Sequence, residues 1–364
     1  MSASKKLQGL SVIGKRHDTE WNVIELLEVK PGNTPGQFSV GYIVEDGKRN
    51  RGFLKASDLS MFVQDSGSVL DAFNRATTAH AFERDVLEYC HGNAMDRIVT
   101  AIDYGELEVT NEGVRDFVFF LIFELAKGDL RSHVTTNNDL DLLWAATALH
   151  NVFVATAQLH SAKIAHNDLK PANALIIDAE IQKVADLGRA TSSNHPAAHD
   201  TLLCTGDQRF APPEQLYPTD LTCAHIAREE KRKVGDLYNL GSLAYFMVTS
   251  RMLTPEIVAN VRPELRPRNG FGGSQDSYQA ALPYWNLELA RLLGEYVQLG
   301  IGRFGPGVND ELISLKRMVS KLCEPDPLRR GHPQNRLGHQ DPLSLNRYIS
   351  ELNSIKNKLK VKAA

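Results

Sequence analysis

The residues best suited to chemistry lie in one short polar stretch, His166-Asn-Asp-Leu-Lys-Pro-Ala-Asn173. A carboxylate, an ammonium and a carboxamide fall within six residues, as Asp168, Lys170 and Asn173. Asp168 can orient a hydroxyl and accept its proton, and Lys170 can offer positive charge to a moving phosphoryl group. Asn173 can hold Mg²⁺ through its carbonyl oxygen. This set predicts phosphoryl transfer, although a simple hydrogen-bonded turn is the structural alternative.

The stretch resembles the catalytic loop of eukaryotic-type (Hanks-type) protein kinases, which begins His-Arg-Asp-Leu-Lys-Pro. The Lys170-Pro171 pair resembles the serine/threonine branch, and the resemblance extends from about Trp21 to Leu359. It implies an α+β, bilobal protein-kinase-like fold, with a small β-rich N-lobe and a larger helical C-lobe. ATP would lie between the two lobes, with Mg²⁺ as its partner.

The implied domain organisation divides the 364 residues into four parts. An N-terminal extension occupies 1–20, and the N-lobe occupies 21–124. The hinge and C-lobe occupy 125–359, and a lysine-containing tail follows at 360–364.

A second acidic residue lies eighteen positions after Asp168, in Asp186-Leu-Gly188. This triplet follows a short strand pattern and resembles the family's Asp-Phe-Gly, with leucine in place of phenylalanine. The resemblance implies that Asp186 binds Mg²⁺ bridging the phosphates, together with Asn173. A lone Asp-x-Gly is a common turn, so the spacing from Asp168 is what favours an enzyme.

In the N-lobe, Arg51-Gly-Phe-Leu-Lys-Ala56 resembles the family's third strand, Val-Ala-Ile-Lys. The resemblance assigns Lys55 to the α and β phosphates of ATP. The helix predicted over 69–91 would carry the acidic partner of Lys55. Alignment with the family places Asp85 there, and Asp85 also flanks the apolar stripe of Phe82, Val86 and Tyr89, whereas Glu83 lies on its far shoulder. Aspartate is one methylene shorter than the usual glutamate. Two acidic neighbours on the helix remain alternatives, Glu83 and Glu88.

Two backbone elements resemble nucleotide-binding parts of the family. The turn at 31–36 carries Gly32 and Gly36 at the position of the glycine-rich loop, although Ser39 stands where a third glycine is usual. An ordinary hairpin is the alternative. Glu124-Leu-Ala126 resembles the hinge, whose backbone groups at Glu124 and Ala126 would contact adenine.

Five residues have structural roles implied by the resemblance. Glu214, in Ala-Pro-Pro-Glu, would pair with a distant arginine, Arg330. Asp236 would brace the backbone of the catalytic loop, although a carboxylate at a helix N-terminus is its simpler reading. The other two are His166 and Gly188.

The bulk composition is ordinary for a soluble globular protein. Net charge is −3 in 364 residues, so no electrostatic argument supports binding to nucleic acid or an anionic membrane. The most apolar run, Phe117 to Phe123, is too short to span a bilayer, and no apolar segment follows the N-terminus. The four dispersed cysteines, at 90, 204, 223 and 323, are typical of reduced thiols in a cytoplasmic protein.

The leading hypothesis is therefore a serine/threonine protein kinase that acts on an unidentified protein substrate. A non-catalytic scaffold and a small-molecule kinase of related fold are the alternatives. The activation segment of the family corresponds to residues 189–207 here. The family's catalytic-loop arginine, which holds a phosphate on that segment, is Asn167 in this chain. Because asparagine carries no charge, we expect activity to depend little on phosphorylation of that segment.

Overall fold

The computed structural model describes residues 2–27, 39–111, 114–137, 139–217, 228–337 and 341–363. The chain forms two compact units, residues 1–127 and 128–364. The first is rich in strands and the second is mainly helical, so the predicted α+β fold class is confirmed.

The first unit is built on a six-stranded antiparallel sheet in the order β1-β2-β3-β4-β6-β5. Its strands are β1 (Ser11–Ile13), β2 (Glu20–Leu26), β3 (Ser39–Asp46), β4 (Arg51–Ser57), β5 (Ala101–Asn111) and β6 (Val114–Glu124). Side chains alternate between the two faces of a strand. Leu54 and Ala56 are therefore fully buried in the core of the sheet, whereas Lys55 lies on the opposite face.

Two helices follow β4, namely α1 (Leu59–Ser66) and α2 (Val69–Gly92). Each begins at a side-chain cap, because Asp58 accepts from the backbone N–H of Ser60 and Ser68 accepts from that of Asp71. Such caps satisfy backbone donors that have no partner within the helix. The start of the long helix α2 is therefore determined locally, by the cap at Ser68.

The second unit contains nine helices within the described residues. They are α3 (Leu130–Thr136), α4 (Leu142–Ser161), α5 (Arg228–Thr249), α6 (Leu253–Asn260), α7 (Arg268–Phe271), α8 (Tyr278–Phe304), α9 (Asn309–Leu322), α10 (Pro333–Leu337) and α11 (Asn346–Ala363). The central helix is α4, which packs against α5 and α11. Its buried apolar face includes Leu149, Val152 and Phe153, as the helical periodicity predicts.

Short strands of the second unit hold its loops in place. They are β7 (Gly128–Asp129), β8 (Ile164–Ala165), β9 (Ala174–Ile176), β10 (Gln182–Val184) and β11 (Thr191–Ser192). They form a three-stranded sheet, β10-β9-β7, and a two-stranded sheet, β11-β8. The loop predicted to carry the chemistry runs from β8 to β9, so both of its ends are anchored.

One helix among the described residues, α4, is long and apolar enough to cross a membrane by length and composition. However, 67% of its most apolar window is buried inside the unit. A core helix of this kind passes the same test, so the finding is only weak evidence of a membrane span.

Candidate active site

A buried residue of α5, Asp236, holds the first part of the loop from His166 to Asn173. The carboxylate of Asp236, which is fully buried, accepts hydrogen bonds from the backbone N–H groups of His166 at 2.7 Å and Asn167 at 2.8 Å. It also contacts Nε2 of His160 at 2.9 Å. A buried carboxylate needs such donors to offset its desolvation. Asp236 therefore fixes the course of the loop at its first two residues.

His166 fixes the backbone of the loop at Asp168, because both of its ring nitrogens contact backbone groups. Nδ1 accepts from the backbone N–H of Asp168 at 3.2 Å, and Nε2 lies 3.0 Å from the carbonyl oxygen of Ala185. A carbonyl can only accept, so the proton lies on Nε2. With no exposed surface, His166 serves as a structural link between Asp168 and the segment that ends at Ala185.

The carboxylate of Asp168 is the point on which the site converges. Oδ2 accepts from Nζ of Lys170 at 2.7 Å and from Nδ2 of Asn173 at 3.1 Å. Oδ1 accepts from the backbone N–H of Asp207 at 2.7 Å. The side chain is almost completely buried, and burial raises the pKa of Asp168 even though Lys170 opposes the shift. A raised pKa makes this carboxylate a better proton acceptor near neutral pH.

As the pH is lowered, activity should therefore be lost at a higher pH than it would be if the pKa of Asp168 had the ordinary value for aspartate. The carboxylate is the accepting form, so kcat is at its maximum above the raised pKa and is lost as the pH falls through it. Lys170→Met deletes the charge that lowers the pKa of Asp168. We expect it to lower the plateau of kcat and to shift the acid limb to higher pH.

A pH–rate profile of both proteins measures this shift. Lys163→Met, at an exposed lysine three residues before the loop, is the matched control and should leave the acid limb where it is. An acid limb that moved to lower pH in Lys170→Met would contradict the electrostatic assignment.

The antiparallel pair β9–β10 brings Asn173 and Asp186 to the same end of a hairpin. Ala174 lies opposite Val184, and the backbone N–H of Ala185 donates to the carbonyl oxygen of Asn173 at 2.9 Å. Asp186 follows in the left-handed conformation, with φ of 64°. Aspartate and asparagine tolerate this conformation better than most residues, and such strain gathers at functional sites.

These two residues suit Mg²⁺. The amide nitrogen of Asn173 donates to the backbone carbonyl oxygen and carboxylate of Asp168, which leaves its carbonyl oxygen to face a ligand. Among the described residues, no group of three or more His, Cys, Asp or Glu side chains could hold a metal ion. Mg²⁺ needs only one or two protein oxygens, because water and phosphate oxygens complete its coordination.

The Asp186-Leu-Gly motif continues into a 3₁₀ turn over Leu187–Arg189. Leu187 is fully buried, so its apolar side chain fills the position of the family's phenylalanine as a packing residue. Gly188 lies in the middle of this turn. The backbone that carries Asp186 is thus anchored on both sides.

In the first unit, Lys55 pairs with Glu83 and not with Asp85. Nζ of Lys55 lies 2.8 Å and 3.0 Å from the two carboxylate oxygens of Glu83. Asp85 is instead bound by Arg84 at 2.7 Å, and Glu88 is bound by Arg16 at 3.1 Å. The prediction of Asp85 was therefore wrong, and the alternative Glu83 is the partner that the structure selects.

The reason lies in the face that α2 buries. By helical spacing, the large apolar residues Phe82 and Val86 place Asp85 beside the core. The buried face also runs through Ala72, Ala76, Leu87 and Cys90, and Glu83 lies in line with these four positions. Glutamate 83 is consequently only 6% exposed, which a solvated acidic residue would not be.

The predicted hinge begins where β6 ends. The backbone N–H of Glu124 donates to the carbonyl oxygen of Thr100 at 3.1 Å, and its carboxylate accepts from the N–H of Thr100 at 2.7 Å. Ala126 lies in the irregular backbone just after β6. Gly32 and Gly36 lie outside the described residues. The adenine and glycine-loop assignments therefore stay predictions.

Glu214 and Arg330 form a double ion pair inside the second unit. The two guanidinium nitrogens lie 2.6 Å and 2.9 Å from the carboxylate oxygens, and Arg330 has no exposed surface. Arg330 also donates to the carbonyl oxygens of Val234, Glu324 and Pro325. Glu214 raises the pKa of Arg330 although burial acts against its charge, so the guanidinium stays charged. It ties three separate chain segments together.

Asn167 holds the activation segment without using charge. Nδ2 donates to the carbonyl oxygen of Arg189 at 2.7 Å and to Oγ1 of Thr191 at 2.9 Å. The Thr191 hydroxyl in turn donates to the carboxylate of Asp200 at 2.9 Å, and Arg232 donates to backbone carbonyl oxygens of residues 200, 202 and 203. Sequence reasoning missed Asp200 and Arg232, because neither lies in a recognisable motif.

Asp207 follows Gly206 at the end of the activation segment. Burial alone would raise its pKa, but hydrogen bonds from Arg209 hold the pKa of Asp207 below its ordinary value. The carboxylate therefore stays charged and pairs with Arg209 at 2.6 Å. Only the backbone N–H of Asp207 reaches Asp168, and the neighbouring Gly206 permits this approach because a Cβ atom there would overlap the carbonyl oxygen of Asn167.

A strand-rich unit with a partly buried lysine–glutamate pair, and a helical unit with an oriented, buried aspartate, are both typical of protein kinases. The family model for the protein kinase domain matches residues 74–340, which is more than half of the chain. The chain therefore belongs to the protein kinase family, and the predicted family is confirmed.

Three relatives illustrate the similarity. Serine/threonine-protein kinase PknA of Mycobacterium tuberculosis (strain ATCC 25618 / H37Rv) is 28% identical over 155 residues, which cover 42% of this chain and 33% of PknA. Serine/threonine-protein kinase PrkC of Bacillus subtilis (strain 168) is 28% identical over 156 residues, covering 43% of this chain and 21% of PrkC. Extracellular signal-regulated kinase 7 of Drosophila melanogaster is 30% identical over 138 residues, which cover 37% of this chain and 14% of that kinase. The match thus spans a third or less of each of these relatives.

Proposed function

We propose that the protein is a serine/threonine protein kinase that transfers the γ-phosphoryl group of ATP to protein hydroxyls, its own included, in a reaction that requires Mg²⁺. The observation that carries the proposal is the supported carboxylate of Asp168, with Lys170 at 2.7 Å and Asn173 at 3.1 Å from Oδ2. The serine/threonine kinases among the relatives support the same class of acceptor.

In this mechanism Asp168 accepts the proton of the acceptor hydroxyl as the phosphoryl group is transferred. The hydrogen bonds from Lys170 and Asp207 hold its carboxylate in one orientation, which keeps the accepting oxygen in place. Lys170 also offsets negative charge on the transferring group.

Asn173 and Asp186 would hold Mg²⁺, which neutralises phosphate charge when it is bound. Lys55, oriented by Glu83, would bind the α and β phosphates. Backbone groups of Glu124 and Ala126 would contact adenine. The cytoplasm remains the predicted location.

Two other functions make different predictions. A scaffold would have no use for a proton acceptor that is buried and oriented by three separate donors, as Asp168 is. A small-molecule kinase would phosphorylate metabolites rather than proteins. A panel of general protein substrates and hydroxylated metabolites, assayed with MgATP, separates these cases. We expect label on protein serine and threonine, whereas label only on metabolites, or on nothing, would reject the proposal.

Activity should depend little on phosphorylation of the activation segment. Asn167 binds the segment through neutral hydrogen bonds, and no arginine occupies its position to hold a phosphate. Thr191 is only 4% exposed and its hydroxyl is already bonded, so a phosphate there would disrupt the segment. Phosphatase treatment, checked by mass spectrometry, should leave kcat nearly unchanged. A large loss that MgATP then restored would show that a phosphate is required.

A further inference from the structure

The N-terminal segment, defined here as residues 2–19, is built into the sheet of the first unit. Leu7 has no exposed surface and belongs to the same core cluster as Tyr42 and Leu54. The hydroxyl of Tyr42 donates to the carbonyl oxygen of Ser4 at 2.6 Å and accepts from the N–H of Leu7. A buried apolar residue that is also hydrogen-bonded in this way is part of the fold and not a loose tail.

The loop after β1 brings this segment against β5. The backbone N–H of Lys15 donates to the carbonyl oxygen of Tyr104 at 2.8 Å. The fully buried carboxylate of Asp103 accepts from the backbone N–H of Arg16 at 3.0 Å. Gly14 allows this close approach, because a Cβ atom there would overlap the carboxylate of Asp103. The backbone of Arg16 is thus fixed in position.

From this fixed position the guanidinium of Arg16 joins the sheet to α2. One nitrogen donates to the carbonyl oxygen of Ala101 on β5 at 2.7 Å. Another donates to the carboxylate of Glu88 on α2 at 3.1 Å. Arg16 is 21% exposed and Glu88 is 40% exposed, so the pair is partly shielded from water.

Glu88 lies on the same helix as Glu83, about one and a half turns further on. Lys55, the partner of Glu83, lies on β4 of the sheet that also contains β5. The lysine–glutamate pair forms only if α2 keeps its distance and rotation relative to this sheet. Arg16 is a further link between α2 and the sheet, and it restrains both the distance and the rotation of the helix.

We propose that Arg16 is a positioning residue for the reaction, which makes the N-terminal segment a part of the catalytic apparatus. It holds α2 against the sheet through Glu88 and Ala101, and thereby holds Glu83 on Lys55. The proposal rests on the proposed function in one respect, because Lys55 is assigned there to the phosphates of ATP. The coupling of Arg16 to the Lys55–Glu83 pair is a structural claim and can be tested without any activity.

The first experiment measures the reactivity of Lys55 toward an amine-acylating reagent, in full-length protein without nucleotide, by mass spectrometry. Arg16→Ala should increase the labelling rate of Lys55 by about two- to fivefold, as expected when a partly exposed ion pair is lost. The matched control is Lys15→Ala, the adjacent residue, whose exposed pair with Glu106 on β5 does not involve α2. It should leave the labelling of Lys55 unchanged.

Glu88→Gln removes the helix side of the same link and should increase the labelling of Lys55 in the same direction. It decides the question if Arg16→Ala does not fold, because Glu88 is half exposed and lies outside the core. Unchanged labelling of Lys55 in the folded variants would overturn the proposal. So would an equal increase in Lys15→Ala.

The second experiment is kinetic. Arg16→Ala should raise the KM for ATP by about two- to fivefold, and it should have no further effect on ATP affinity in a Lys55→Met background. Equal effects in both backgrounds would show that Arg16 acts only on general stability. If the wild-type protein transferred no phosphate at all, the proposed function would fail, and the labelling of Lys55 would still decide the role of Arg16.

Discussion

Asp168→Asn should reduce kcat by about 10²–10⁴-fold, the usual contribution of a positioned general base. Asparagine keeps the shape of the side chain and can still accept from the backbone N–H of Asp207. It has no carboxylate to accept the hydroxyl proton. Because Lys55 and the predicted adenine contacts are untouched, the KM for ATP should change little. Steady-state kinetics with a protein acceptor measures both quantities.

The fold must be intact for this result to be informative. Asp139→Asn, at an exposed aspartate of the same unit, is the matched control and should retain full activity. Circular dichroism and thermal unfolding of Asp168→Asn should match those of the wild type to within a small shift. Equal phosphorylation rates for Asp168→Asn and the wild type would defeat the role assigned to Asp168.

Arg330→Ala should destabilise the second unit by about 3–5 kcal/mol, the cost of removing one partner from a buried ion pair. The carboxylate of Glu214, at 2.6 Å and 2.9 Å from the guanidinium, would be left charged and without its main donor. Three backbone carbonyl oxygens would lose a donor as well. Urea unfolding, followed by circular dichroism, measures the loss of the free energy of unfolding.

Arg329, the residue before Arg330, offers a matched control for Arg330→Ala. Arg329 is exposed, and Arg329→Ala should change the free energy of unfolding by less than about 0.5 kcal/mol, as is usual for surface substitutions. The double variant Glu214→Ala with Arg330→Ala should cost less than the sum of the two single variants, because no charge is then left unpaired. Additive losses, or a loss for Arg330→Ala as small as that for Arg329→Ala, would reject the buried bridge as a major stabilising element.

The parts of the site that the sequence predicts well are those set by local chain geometry. Asn173 and Asp186 flank two short strands, and an antiparallel pair brings its outer ends together whatever the rest of the chain does. The spacing from Asp168 to Asp186 was therefore informative. By contrast, pairing Glu214 with Arg330 needed the family resemblance, since 116 residues separate them.

The error at Asp85 has a physical cause. Neighbouring helix positions differ by about 100° in direction, so one acidic residue faces the sheet while another two positions away faces solvent. The apolar stripe was drawn from large residues, whereas the face that contacts the sheet also uses small ones, such as Ala72 and Ala76. Small residues mark close approach but carry a weak hydrophobic signal. Glu83 was consequently placed on the wrong side of the stripe.

Contacts between distant segments could not have been predicted from local patterns. The Arg16–Glu88 pair joins residues 72 positions apart, and Thr191–Asp200 depends on the path of an irregular loop. Nor does the sequence indicate that Leu7 is buried, because a single leucine among polar residues has no periodicity to follow. Each of these contacts is determined by tertiary packing.

The most direct test of the account is transfer of label from γ-labelled ATP to serine and threonine, with and without Mg²⁺. Asp186→Asn is the informative partner, since asparagine also tolerates the left-handed backbone at this position but lacks the charge that we propose binds Mg²⁺. The account predicts Mg²⁺-dependent label with the wild type and almost none with Asp186→Asn. Undiminished transfer by Asp186→Asn, or no transfer by the wild type to any protein acceptor, would contradict it.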